Sequence, residues 1–318
     1  MFNILVLGGT GFVGRSVCAQ LVERSGGASG SIVVPSRRPA RAKHIQLLPT
    51  VQVVDADVHN EAALARLVAG RDAVVNLVAI LHGSPAEFQR VHVDLPAKLA
   101  RVCQNENVKR VVHVSALGVS DRAPSHYLRS KTGGELMLKS AKLDLSILRP
   151  SVIFGEHDKF LNLFATLQAV LPVVPLGGAQ AQFQPVWVED VAAAILRCLD
   201  NPATAGQTYE CTGPRVNTLK ELVELAGRLS GHPRPVFPLP DGLARLQAAA
   251  MELLPGEPLM SRDNIDSMRV PNVATAQWPG LSALGITPSA LESIAPSYLS
   301  PGQGLARLDP WRAKAGRR

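Results

Sequence analysis

Tyr127 and Lys131 stand four residues apart in the segment HYLRSKTGGELML, a spacing that puts both on one face if the segment is a helix. Ser115 precedes Tyr127 by twelve residues and ends the apolar run Arg110 to Ser115, which reads as a strand. These residue types suit a step in which hydride leaves or reaches a carbon centre. Such a step makes or consumes an alkoxide, so a proton must move in concert. A phenol can move it once its pKa is drawn down from about 10. An ammonium one helical turn away supplies the positive charge that lowers it, and can also hold a ribose. A serine hydroxyl can orient the carbonyl. The ordinary alternative is a half-buried tyrosine beside a solvated lysine paired to Glu135. His113 and His126 have no acidic or histidine partners at ligand spacing, so a metal is not expected.

Such a trio acts only if other elements bring it to a hydride carrier, and the first of these is the stretch from Asn3 to Val22. Ile4 to Leu7 is a run of β-favouring apolar residues, and beyond a glycine-rich turn Val13, Val17 and Leu21 recur at helical spacing. Strand, turn and helix follow one another directly. Gly9, Gly11 and Gly14 fit GxGxxG, and Gly8, Gly11 and Gly14 fit GxxGxxG. Glycines permit the tight turn and let backbone amides approach a pyrophosphate, which the positive end of the helix then faces.

The second strand, Ser31 to Val34, runs into Pro35, Ser36, Arg37 and Arg38, with Arg41 and Lys43 following. In a dinucleotide-binding fold this place meets the adenosine ribose, where an acid binds the free 2′-hydroxyl of NAD. This chain offers Ser36 and arginines instead. Guanidinium groups match a phosphate, so NADP(H) is expected over NAD(H); the alternative is a solvated basic loop. After the third strand, Val51 to Val54, Asp57 and Val58 are placed to flank the adenine, or Asp57 caps the helix that follows from Asn60. Asp72 to Ile80 reads as a fourth strand, buried on both faces. Asn76, Leu77, Val78 and Ala79 lie at its C-terminal end, where ligands of open α/β sheets gather. Glu87 to Glu106 reads as a long helix carrying Pro96, which kinks it or marks a fresh first turn.

The chain's 318 residues exceed the usual single-domain size. With 46% apolar and 19% charged residues, a sizeable core is possible. Five basic residues and one acidic between Arg307 and Arg318 carry +4 of the formal +7, so the charge marks a solvated basic tail rather than a nucleic-acid module. The four cysteines, Cys18, Cys103, Cys198 and Cys211, lack metal or redox spacing and suit buried thiols of a cytoplasmic protein. No secretory leader is expected. The longest later apolar stretch, Phe160 to Leu176, is broken by Pro172 and Pro175, so no transmembrane segment is expected, although peripheral contact at the inner face of a membrane stays open.

The motifs GGTGFVG, Asp57-Val58, NLVA, HVSALG, YLRSK and LSILRP together resemble the short-chain dehydrogenase/reductase superfamily in its extended and atypical branches. The stretch RPSVIFGEHDKFLNLFA, continuing through QPVWVEDVAAAIL, is similar to the branch holding the nucleotide-binding accessory subunit of mitochondrial complex I and its bacterial relatives. The resemblance implies a Rossmann fold, with Gly8, Thr10, Gly11, Phe12, Val13 and Gly14 on the pyrophosphate, Arg37 and Arg38 near the ribose phosphate, and Pro150 beside the nicotinamide. Val188 to Val191 would return the chain to the cofactor domain. Sugar-nucleotide epimerases carry an asparagine where this chain has VHVDLPAKL, with His92 and Pro96, which speaks against an epimerase. In the complex I subunit the bound NADPH is regarded as structural, and relatives are linked to quinone biosynthesis. A respiratory or quinone-biosynthesis protein is therefore an expected partner alongside a small-molecule substrate.

The expected architecture is a doubly wound parallel α/β sheet with a smaller C-terminal α/β cap. Residues 1–150, completed by part of 183–212, form the NADP-binding domain; 151–300 form the cap; 301–318 form the tail. Phe160, Phe164, Leu167 and Val170 make an apolar stripe that reads as core, or, if part of it faces the cleft, as a contact for an apolar ligand. Two functions follow: an NADPH-dependent oxidoreductase on a carbonyl or quinone-related metabolite, or an NADPH-loaded structural or assembly protein.

Overall fold

The computed structural model describes residues 3–27, 29–253, 256 and 258–304. The charged part of the C-terminal tail, Arg307 to Arg318, lies outside the described residues. The chain divides into two compact units. The first comprises 1–150, 188–211 and 274–287, and the second 151–187, 212–273 and 288–318.

The first unit is built on a seven-stranded sheet. Its strands are β1 (Asn3–Leu7), β2 (Ser31–Ser36), β3 (Val51–Asp55), β4 (Ala73–Asn76), β5 (Arg110–Val114), β6 (Asp144–Pro150) and β7 (Thr208–Cys211). They lie in the order 7-6-5-4-1-2-3, and every neighbouring pair is parallel. The longer helices that accompany them are α1 (Phe12–Arg24), α2 (Glu61–Val68), α3 (Leu95–Asn105), α4 (His126–Lys139) and α5 (Val188–Asp200). α1 packs on α5, and α3 packs on α2 and α4. This is a doubly wound Rossmann sheet, and strand order reverses between β1 and β4, where such sheets bind ligands.

All-parallel strands are covered on both faces, so their side chains are apolar on both. Leu5, Leu7, Val74, Val111 and Ile147 sit in one core with Leu95, Leu99 and Leu138 of the helices. Each such side chain contributes roughly 1.5–3 kcal/mol by burial. The four cysteines are buried with free thiols; burial pushes Cys18 and Cys103 up to about 12.

Two elements differ from expectation. β4 stops at Asn76 instead of running to Ile80, because Asn76 Oδ1 accepts the Val78 amide at 3.2 Å and turns the chain out of the ladder. The helix expected over 87–106 is three pieces: a turn at Pro85–Phe88 under a Ser84 capping box, a π-helical segment at Gln89–Asp94, and α3, where Pro96 marks a fresh first turn, one of its two expected roles. Pro96 has no N–H for the His92 carbonyl four residues back, so α-winding cannot run through it. α4 approaches that carbonyl closely: a Cβ on Gly134 would lie 2.1 Å from His92 O.

In the second unit, helices Leu161–Val170, Leu219–Leu229 and Asp241–Glu252 accompany short two-stranded ladders. Phe164 packs in its core with Leu222, Val223 and Ala226, and Phe160 and Leu167 pack against that core. Val170 is 78% exposed. Phe160, Phe164 and Leu167 are thus spent on internal packing, while Val170 is not. Among the described residues no helix is long and apolar enough to cross a membrane.

Candidate functional site

The glycine turn leaves β1 at Gly8, which has φ +81°, and a Cβ there would lie 3.1 Å from the Leu77 backbone. Only glycine meets both demands. Gly14 plays a different part: its Cβ would stand 2.4 Å from Gly9 Cα and 2.5 Å from Gly8 O, so α1 rests directly on the turn. Thr10 sits in the turn, and Phe12 and Val13 open α1. Gly11 caps α1 with no side-chain bond, and the first turn carries no acid. Its free amides and the helix dipole thus remain available to an anion.

Beside the turn lies a 410 Å³ cavity walled by Thr10, Ser36, Arg37, Arg38 and Arg41, with Ala56, Val58, His59 and Val78 across from them. The Arg38 amide donates to Ser36 Oγ at 3.1 Å. Arg37, Arg38 and Arg41 are exposed, and among the described residues none forms an ion pair. Asp57 does not cap α2. Val58 lines this cavity, whereas Asp57 borders a separate 370 Å³ depression with Asn60 and Arg66. Asp57 Oδ1 accepts the His59 amide at 3.0 Å, and the cap of α2 is Asn60, whose side chain accepts from Ala63. Arg41 and His59 were not among the expected site residues; the sequence signal was their position just past β2 and β3. Uncapped amides, unpaired guanidiniums and glycines that no Cβ could replace together fit an anionic dinucleotide.

Leu77, Val78 and Ala79 follow β4, and side chains of two other elements tie this segment down. Asn76 Oδ1 takes the Val78 amide, so its Nδ2 donates to His113 Nδ1 at 3.2 Å. The ring proton of His113 is then on Nε2, a buried nitrogen with no hydrogen-bond partner. His92 Nε2 accepts the Ile80 amide at 3.1 Å; an amide only donates, so the ring proton is on Nδ1, 2.8 Å from Ser130 Oγ, which donates to Tyr127 O. Burial, aided by the Lys131 charge, lowers both imidazoles to about 3. They act as neutral clamps.

The three residues expected to serve proton transfer sit in different surroundings. Tyr127 is half-buried, packed edge-on against Phe88 and His92 with ring centroids 6.2 and 5.5 Å away. Burial pushes its phenol up to about 12, the reverse of the lowering expected from Lys131. Lys131 is buried, not solvated, and its Nζ donates to Val114 O at 2.7 Å. Burial lowers it to about 8 against the opposing charge of Glu135. The Ser115 hydroxyl is buried without a well-formed hydrogen bond, yet lies near enough to Glu135 to help keep that carboxylate ionised. Glu135 follows Tyr127 by eight residues, about 12 Å along the helix. Arg149 holds Glu135 through Nε at 2.9 Å and Nη2 at 2.6 Å. Pro150 is buried at the end of β6, its carbonyl accepting from Leu117 at 3.0 Å.

Comparison with known proteins bears on the same residues. The family described as NAD(P)H-binding matches residues 8–202. The mitochondrial NADH dehydrogenase [ubiquinone] 1 alpha subcomplex subunit 9 of Mus musculus is 31% identical over 294 residues, covering 90% of this chain and 77% of that one. A (4-alkanoyl-5-oxo-2,5-dihydrofuran-3-yl)methyl phosphate reductase of Streptomyces griseus is 26% identical, covering 72% and 74%. Among solved structures, a UDP-glucuronic acid 4-epimerase from Bacillus cereus, in complex with UDP-glucuronic acid and NAD, shares the fold with TM-score 0.69 at 18% identity, covering 94% of this chain and 99% of that one. The chain belongs to the NAD(P)H-binding family, among its atypical short-chain dehydrogenase/reductase-like members, and has the complex I alpha subcomplex subunit 9 as a homologue.

Proposed function

We propose that the protein holds NADP(H) as a bound component and serves a respiratory NADH:quinone oxidoreductase as an accessory or assembly protein, without turning the dinucleotide over. The observation that carries this reading is the setting of Tyr127, whose ring packs edge-on against Phe88 and His92. The phenol, raised to about 12, is a poor proton donor near neutral pH. The likeness to the complex I subunit supports the choice of partner.

When bound, the nicotinamide supplies hydride chemistry; the chain's own residues bind and orient. The α1 amides and the Gly8 turn take the pyrophosphate. Ser36, Arg37 and Arg38 take a 2′-phosphate, which is why NADP(H) is preferred. Lys131 retains two N–H bonds beyond the one to Val114 O, enough to hold the nicotinamide ribose. Substituting Arg37 and Arg38 together by alanine is expected to weaken NADPH binding about 10- to 100-fold and NADH binding less than about threefold, as loss of charge-assisted phosphate contacts should. Equal weakening of both would overturn the preference.

A second reading, an oxidoreductase on a carbonyl or quinone-related metabolite, is favoured by the Tyr127 and Lys131 pair on α4 and by the likeness to a reductase. Nicotinamide fluorescence of NADPH-loaded protein, followed while quinones and small carbonyls are added, separates the two. The proposed function expects no oxidation in wild type or Tyr127→Phe. Oxidation in wild type that Tyr127→Phe abolishes would establish the enzyme instead.

A further inference from the structure

His59 lies in the wall of the 410 Å³ cavity together with Arg37, Arg38 and Arg41. Its backbone is fixed from both sides: the amide donates to Asp57 Oδ1 at 3.0 Å, and the carbonyl accepts Lys98 Nζ at 2.7 Å. The residue is therefore anchored in the cavity wall. Its Nδ1 is buried and without a hydrogen-bond partner.

We propose that His59 is a ligand of the phosphorylated adenosine end of NADP(H) and gains a proton from solvent as that dinucleotide binds. The inference rests on the NADP(H) reading above and adds to it a discriminating residue. The charges facing the ring come from every element around it. Arg37 enters from the end of β2, Arg90 from the π-helical segment and Lys98 from α3, while Asp57, on the ring's own turn, is the one acid among the described residues. Arg38 and Arg41 share the cavity wall. Burial first, then the three cations, hold the free imidazole below its ordinary pKa against the pull of Asp57. The ring is thus neutral near pH 7. A 2′-phosphate carrying nearly two negative charges, placed among the same arginines, reverses that balance and favours the imidazolium. Charged, the ring adds a donor to the phosphate that NADH cannot use. NADPH affinity should therefore rise as pH falls toward 6, while NADH affinity stays level.

The ligand's own phosphate also titrates near pH 6 and loses protons to the arginine field, an opposite effect. The test must therefore compare wild type with His59→Gln. Full-length protein is titrated with NADPH and with NADH by calorimetry from pH 6 to 8.5, in two buffers of different ionisation enthalpy. At pH 6.5 the substitution is expected to weaken NADPH about tenfold, leave NADH within about twofold, and remove a proton uptake of roughly half a proton per NADPH. The affinity gap should close above pH 8. Equal weakening of both dinucleotides would assign His59 to the adenine and overturn the proposal. Unchanged NADPH affinity and proton uptake would overturn it too, with the arginine site intact. If wild type binds NADPH no better than NADH, the phosphate reading itself fails, a result distinct from either.

Discussion

Glu135→Gln is expected to destabilise the protein by about 3–5 kcal/mol at pH 7, the cost of leaving the partly buried Arg149 and the buried Lys131 without their carboxylate. Glu135 is 2% exposed and bridges Arg149 and Lys139. Both cations also lie over the Trp278 ring, 5.5 and 5.9 Å from its centroid. Burial alone would raise this carboxyl, but the Arg149 hydrogen bonds and charge, with Ser115 and Lys139, overcome it and bring it to about 2. An acid whose folded pKa lies below its unfolded value stabilises above the unfolded value and loses that stability as pH falls. The window here runs from about 4.5 down to about 2 and is worth about 3 kcal/mol. Lys131 works in the other direction: lowered from 10.5 to about 8, it costs a constant amount below pH 8, and that cost is relieved as pH rises through 8 to 10.5. Without Glu135 the lysine loses the charge that opposes its lowering. Urea unfolding from pH 2 to 10 should therefore show, for Glu135→Gln, a lower plateau, a flattened acid limb and a steeper alkaline rise. A loss below 1 kcal/mol with the acid limb unchanged would mean the pair is not carrying this part of the fold.

The parts of this site that were legible in the sequence are those set by local sterics. The glycine turn could be read because Gly8 and Gly14 answer to backbone atoms within a few residues or in the adjoining strand. Arg37 and Arg38 could be read because they follow a strand whose end has one possible place in this sheet. Ser115 could not. The direction of a side chain past a strand end depends on strand parity, and β5 is buried on both faces at Val111, Val112 and His113, so no alternation remains to show it. The clamp formed by His92 was equally hidden, because it needs π-winding ahead of Pro96 and the close approach of α4 at Gly134, neither of which has a periodic signature. Trp278 belongs to 274–287, a piece that rejoins the first unit after a long excursion, and nothing nearby in sequence announces its place over Arg149.

Gly14→Ala should abolish dinucleotide binding, by more than about 100-fold, while leaving the sheet folded. The added carbon would meet Gly9 Cα at 2.4 Å, Gly8 O at 2.5 Å and Gly9 C at 2.6 Å. All three are backbone atoms, so no side chain can swing aside. Relief requires about 1 Å of separation between α1 and the turn, because carbon contacts sit near 3.5–4 Å. The turn cannot yield the other way. Gly9 lies against Val34, where a Cβ would be 2.8 Å away, and Gly8 against the Leu77 backbone. The helix must therefore give, carrying its uncapped amides off the phosphate position, and misplacement by that distance is enough to cost two orders of magnitude. Overpacking of this kind also costs about 1–3 kcal/mol of stability. Gly242→Ala is the control: a Cβ there meets nothing within 4 Å and occupies the first turn of the helix Asp241–Glu252, so stability should hold or rise by up to about 1 kcal/mol. Thermal unfolding and fluorescence titration with NADPH of both variants distinguish the effects. Binding by Gly14→Ala within threefold of wild type would show that the phosphate does not rest on the α1 amides.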